Sequence, residues 1–127
     1  DPSLPEFDAD PEQLVQAVLN VARNAVQAVG DQGRVVFRTR AERLLTIGQK
    51  RHRLVLRAEI EDTGPGIPDE LRDRVFYPMV TSKPNGTGLG LSIAQDIINQ
   101  HGGMIEFSSQ PGQTVFRLYL PLEGAYG

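Results

Sequence analysis

Three glycines at alternate positions, in Gly86-Thr87-Gly88-Leu89-Gly90-Leu91, run straight into a helical pattern from Ser92 to Ile98. Glycine lets a backbone approach a bound group closely, and the helix that follows presents unpaired N–H groups and the positive end of its dipole. Together they make a cradle for an anion such as a phosphate chain. Packing alone also produces glycine-rich turns ahead of helices, so the loop needs companions elsewhere in the chain before it implies a function.

The 127 residues are enough for one domain with a single core. Thirteen basic residues face sixteen acidic ones, a mildly acidic balance that argues against a dedicated nucleic-acid binder. The absence of cysteine excludes a disulfide framework and thiolate metal sites, and fits a cytoplasmic location. No apolar run reaches the roughly 20 residues that cross a bilayer, and Asp1-Pro2-Ser3-Leu4-Pro5 is unlike a signal peptide. The start without Met suggests a piece of a longer protein.

Asp10-Pro11-Glu12-Gln13 reads as a capped helix start, and Leu14, Val18, Val21, Ala22, Ala25 and Val29 keep helical spacing up to Gly30. Beside that apolar face lie Gln13, Asn20, Asn24 and Gln27. Two alternating runs, 34–40 and 53–61, read as a long hairpin joined near Gly48-Gln49. Residues 63–85 are rich in glycine and proline, with a helical piece near 69–75, and read as a mobile functional loop of the lid kind. A helix over 91–101, with Ile93, Ile97 and Ile98 buried, and two strands, 104–109 and 114–120, flanking Pro111-Gly112 complete the pattern.

Two polar features interrupt these elements. Leu54, Leu56, Ala58 and Ile60 share a strand face, and Asp62 continues it inward at the edge of Thr63-Gly64-Pro65-Gly66. A buried carboxylate needs partners. Asp62 either caps its own glycine turn or accepts from an exocyclic amine such as that of adenine, which would favour ATP over GTP. Thr114, on the core parity with Phe116, Leu118 and Leu120, either supports the same base edge or bonds to backbone. Asn20 and Asn24 are one helical turn apart. They are either surface amides or, with Asn24 as the ligand, a neutral oxygen site for Mg²⁺.

In order, Asn20-x-x-x-Asn24, Asp62-x-Gly64-x-Gly66, Phe76-x-Pro78 and Gly86-x-Gly88-x-Gly90 resemble the N, G1, F and G2 boxes of the Bergerat-fold ATPases. The likeness is to the catalytic and ATP-binding domain of bacterial histidine kinases and covers nearly the whole chain. It implies an α+β fold, a two-layer α/β sandwich with a mixed sheet of about five strands, three helices on one face and an ATP lid over about 63–87. The cofactors it implies are ATP and Mg²⁺. Asn24 would bind the metal with Asn20 beside it, Asp62 the adenine, and Gly86, Thr87, Gly88, Leu89 and Gly90 the phosphates. Gly64, Gly66, Ile67, Phe76, Leu91 and Thr114 would complete the nucleotide site.

The activity so implied is transfer of the ATP γ-phosphate to a histidine. Neither His52 nor His101 sits in a helical His-Glu context, so the acceptor is expected on a separate dimerisation domain, with sensor domains also outside this chain. Arg23 and Lys83 either approach the phosphates or are solvated charges. Val75-Phe76-Tyr77-Pro78-Met79-Val80, Ile105-Glu106-Phe107 and Pro111-Gly112-Gln113-Thr114 resemble the nitrogen-regulatory branch of these kinases, whose partners would be the response regulator NtrC and a PII signal protein. Two rival readings are an ATP-driven clamp of the gyrase, MutL or Hsp90 kind and a silent ATP-binding module. The clamps carry a glutamate as general base where this chain has Asn20, and an amide takes no proton at neutral pH.

Overall fold

The computed structural model describes residues 10–76 and 90–122. Helix α1 (Pro11–Val29) begins as its sequence dictates, with Asp10 accepting from the Gln13 N–H at 3.2 Å and Pro11 in the first turn. Gly30, at φ +62°, closes it. A hairpin follows, β1 (Val35–Ile47) and β2 (Lys50–Asp62), in unbroken register from Val35 opposite Asp62 to Arg43 opposite Leu54. Both strands are longer than their alternation predicted, because the polar tip pairs up to a two-residue turn at Gly48-Gln49.

After a 3₁₀ helix (Asp69–Arg74) comes α2 (Gly90–Gln100), then a second hairpin, β3 (Met104–Gln110) and β4 (Gln113–Pro121). The sheet order is β1-β2-β4-β3 and every described pair is antiparallel, so the expected mixed sheet of about five strands is corrected to four antiparallel ones among the described residues. β2 and β3 do run the same way. They never pair, because β4 inserts between them and is antiparallel to each. In place of three helices the described residues hold two α-helices and the short 3₁₀ piece.

Both α-helices lie on one face of the sheet. Ala17, Val21 and Ala25 of α1, Ala94, Ile97 and Ile98 of α2, and Ile60, Phe116, Leu118 and Leu120 of the sheet form the core. Small residues on the helices let them sit close to the larger ones on β4. Leu14, Val18 and Ile93 pack at its margin, half-buried. His101 ties the two helix ends together: its Nδ1 lies 2.8 Å from the Ile97 carbonyl, and its Nε2 accepts the Asp10 N–H at 3.2 Å. Those partners fix the neutral Nδ1–H tautomer.

The opposite sheet face is a lattice of charge. Arg38 pairs with Glu61 at 2.9 Å, Arg57 with Glu42 at 2.9 Å, and Arg117 with Glu59 at 3.2 Å. The hydrogen bond from Arg38 holds Glu61 below its ordinary carboxylate range. Burial, with the bond that Tyr119 donates to Glu106 at 2.7 Å, pushes the Tyr119 hydroxyl up to about 12. The charges of this face alternate along β2 with the covered row, while Val55, Val115 and Tyr119 of the same face are buried.

Candidate functional site

Asp62 ends the inward row of β2 and is only 1% exposed. Its Oδ1 accepts the Gly64 N–H at 2.9 Å, the glycine-turn contact that the local sequence allows. That bond does not exhaust the roughly four acceptor positions of a carboxylate. Turn-capping and ligand recognition are therefore compatible here.

Glycine is required in the loop after Asp62 for a packing reason. A Cβ on Gly64 would lie 2.9 Å from the Ala28 carbonyl oxygen and 2.9 Å from Asp62 Oδ1. Gly66 has φ +92°, and a Cβ there would lie 3.0 Å from the Gln110 carbonyl oxygen. The loop is thus pinched between the last turns of α1 and the β3–β4 turn. Gly112 N–H donates to the Gly64 carbonyl at 2.9 Å, and Ile67 N–H to Ser109 Oγ at 2.8 Å.

Thr114 lies directly across from Asp62 in the β2–β4 pairing and is 3% exposed. Its Oγ1 is 2.7 Å from Ser109 Oγ, a side-chain partner in place of the backbone one that its sequence position allowed. A buried carboxylate and a buried hydroxyl therefore sit side by side at the end of the sheet.

Asn20, Asn24 and Ala28 repeat at one-turn intervals, so they form one stripe about 12 Å long on α1. At its far end the Ala28 carbonyl meets Gly64. At its near end Gly90, the first residue of α2, would carry a Cβ 3.8 Å from both Cβ and O of Asn20. The helix packing thus brings Asn20, Asn24, Gly90 and the Asp62 loop to a single edge of the molecule. Both amides are half-buried, and Arg23 is exposed.

Phe76 is held in an aromatic cluster, its ring edge-on to Phe107 at 6.1 Å and to Phe116 at 6.2 Å. Ile67 and Leu91 are half-buried against the core. Gly86, Thr87, Gly88, Leu89 and Lys83, with Pro78 and Met79, lie outside the described residues. Among the described residues no group of three or more His, Asp or Glu gathers as a metal site.

Sequence reasoning did not single out Ser109 or Arg72. Arg72 donates from Nη2 to the Ser109 carbonyl and from Nε to Asp69 Oδ1 at 3.1 Å, so it fixes the 3₁₀ helix to β3. The available signal was the Pro111-Gly112 turn, which sets the register that pairs Ser109 with Thr114.

The sequence matches the family described as histidine kinase-, DNA gyrase B-, and HSP90-like ATPase over residues 9–124. The chain belongs to this family. Within it, the sensory histidine kinase/phosphatase NtrB of Salmonella typhimurium is 54% identical over 123 residues, 96% of this chain and 35% of that protein. NtrB of Azospirillum brasilense is 42% identical over 127 residues, 96% of this chain and 32% of that protein. The chain spans about a third of the length of these relatives. Among solved structures, the nucleotide-free catalytic domain of the histidine kinase ThkA superposes with a TM-score of 0.75 at 32% identity, covering 91% of this chain and 70% of that one. Full-length ShkA in complex with AMPPNP gives 0.72 at 30% identity, covering 97% and 24%. The chain is an ATP-binding catalytic domain of the sensor histidine kinase type, similar to that of NtrB.

Proposed function

We propose that this edge of the molecule holds ATP with Mg²⁺ and that the domain phosphorylates a histidine on a separate dimerisation domain, in a cytoplasmic pathway of nitrogen regulation. The observation that supports it best is the buried pair Asp62 and Thr114 at one end of an amide stripe whose other end meets Gly90. A carboxylate acceptor beside a hydroxyl suits the amino group and ring nitrogen of adenine. The donor set also suits the metal: with no carboxylate cluster among the described residues, Asn24 would offer one hard neutral oxygen, leaving phosphates and water to complete the shell. Bound Mg·ATP supplies the γ-phosphoryl group and the charge neutralisation.

The chain's own part is positioning. Asp62 and Thr114 hold the base, Asn24 orients the metal, and Gly86 to Gly90 would receive the phosphates. Asn20, one turn before Asn24, cannot act as a base on water, so hydrolysis stays slow and the phosphoryl group is kept for an acceptor side chain. The resemblance to NtrB extends the proposal to a response regulator of the NtrC type and to PII as partners of the whole protein. Mixing this chain with a separately expressed acceptor-histidine segment and labelled ATP tests it. Label on the segment, with ATP turnover by the isolated domain far below about 10 per second, is the expected outcome. ATP binding without label transfer leaves a silent nucleotide module, and rapid hydrolysis leaves a mechanical clamp.

A further inference from the structure

The β1–β2 hairpin outgrows the sheet that carries it. β4 stops pairing with β2 at Val55, so residues 44–53 stand out from the sheet by roughly 15 Å. His52 is buried there, opposite the half-buried Leu45, so the projection has a small packed interior. From 43 to 58 the chain holds Arg43, Lys50, Arg51, Arg53 and Arg57 and no acidic residue, while the rest of the chain is acidic in balance. Arg57 is matched by Glu42 at 2.9 Å. The other four are exposed. Cations gathered at one tip give it a positive field that reaches about 8 Å into solvent at physiological salt.

An apolar side chain stands among these charges. Leu44 is 60% exposed, and its place in the ladder is opposite Arg53, between the pairs Arg43–Leu54 and Leu45–His52. Among the described residues it is the one non-glycine residue with a positive φ, +57°. Left-handed backbone is costly for a residue with a Cβ, and with so little of Leu44 buried, packing within the chain offsets little of that cost. We propose that this tip is a docking surface for an acidic segment of a partner protein, whose carboxylates meet Arg43, Lys50, Arg51 and Arg53 and whose apolar side chain covers Leu44. Complementary charge selects the partner, and burial of Leu44 adds affinity that salt does not screen. A fluid lipid surface accepts a leucine at any angle and gives no reason for a fixed left-handed one. A polyanion as long as a nucleic acid runs on past the tip and meets the acidic remainder. The tip lies at the opposite end of β2 from Asp62, so this surface is separate from the nucleotide edge.

Fluorescence anisotropy on the whole chain tests it, with a labelled glutamate-rich peptide carrying leucine at its centre as the probe. Vesicles of phosphatidylcholine and phosphatidylglycerol in equal parts serve as the rival surface. The unaltered chain should bind the peptide, and alanine in place of the peptide's leucine should cost about fivefold in affinity. Lys50→Glu with Arg51→Glu should weaken binding about tenfold. Leu44→Gly should weaken it about fivefold with the melting temperature unchanged or higher, since glycine relieves the left-handed backbone. A role for Leu44 in packing alone predicts the reverse, a lower melting temperature with peptide affinity unchanged, and that result overturns the proposal. Equal peptide affinity in all variants overturns it as well, as does binding to the vesicles alone, which would assign the tip to lipid. Should Leu44→Gly fail to fold, Leu44→Asn, which also tolerates left-handed backbone, replaces it with the same expectation. Calorimetry with Mg·ATP should give one affinity for every variant, so failure of the docking surface leaves the nucleotide reading standing.

Discussion

The two hairpins share a motif and differ in what their turns touch. The β3–β4 turn is bound on every side to the candidate site: Gly112 to Gly64, Gln110 against Gly66, Ser109 to Ile67 and Thr114. Among the described residues, no atom lies within 4 Å of a Cβ placed on Gly48 in the β1–β2 turn. It extends past β4, whose pairing with β2 stops at Val55. Just before it, Leu44 is 60% exposed at φ +57° and interrupts the ladder. Charge separates the two as well. Five of the thirteen basic residues and none of the sixteen acidic ones lie between 43 and 58, leaving eight basic against sixteen acidic in the remainder. A hairpin is thus a neutral device, and its role follows from the contacts of its turn.

Substitutions can break this contrast, and the largest effect belongs at the bound turn. Gly64→Ala drives a methyl against the Ala28 carbonyl and the Asp62 carboxylate, at a cost of about 1–3 kcal/mol and the loss of most ATP affinity. Thermal melting and calorimetry read the two effects. Alkali attacks the same hairpin from its outer face. The Tyr119 hydroxyl is raised from 10.0 to about 12, so its contribution is complete below pH 10 and disappears as pH rises through 12. The ceiling is about 2.7 kcal/mol before solvent screening lowers it, and Tyr119→Phe should flatten the alkaline fall in melting temperature.

At the unbound turn the effects shrink. Gly48→Ala has open space but a left-handed backbone, φ +62°, so it should cost about 1 kcal/mol and leave ATP affinity unaltered. Smallest of all, Lys50→Gln with Arg51→Gln removes like charges from an exposed tip and should shift stability by less than about 0.5 kcal/mol. A loss of ATP affinity in either variant would show that the two turns are energetically joined.

Much of this was legible in the sequence because it is local. Asp10 and Pro11 start α1, Gly30 ends it, and the parity that puts Asp62 and Thr114 inward survives in the fold. Strand order is not local. Nothing near β2 or β3 says that β4 will separate them, so the order of the described strands was not legible. Ala17, fully buried in α1, was not placed on the apolar face although it stands one turn before Val21. His52, although it lies in a basic hairpin segment, is 3% exposed, since burial at the hairpin depends on what packs over it. Ser109 became visible only once the register was known.

Calorimetric titration of the chain and of Asp62→Asn with Mg·ATP tests the site most directly. Asparagine keeps an oxygen for the Gly64 N–H but sets an N–H₂ donor against the amino group of the base. The unaltered chain should bind ATP and reject GTP, and Asp62→Asn should stay folded while losing at least tenfold in ATP affinity. Equal ATP affinity in the two proteins would remove Asp62 from the site and contradict the adenine pocket.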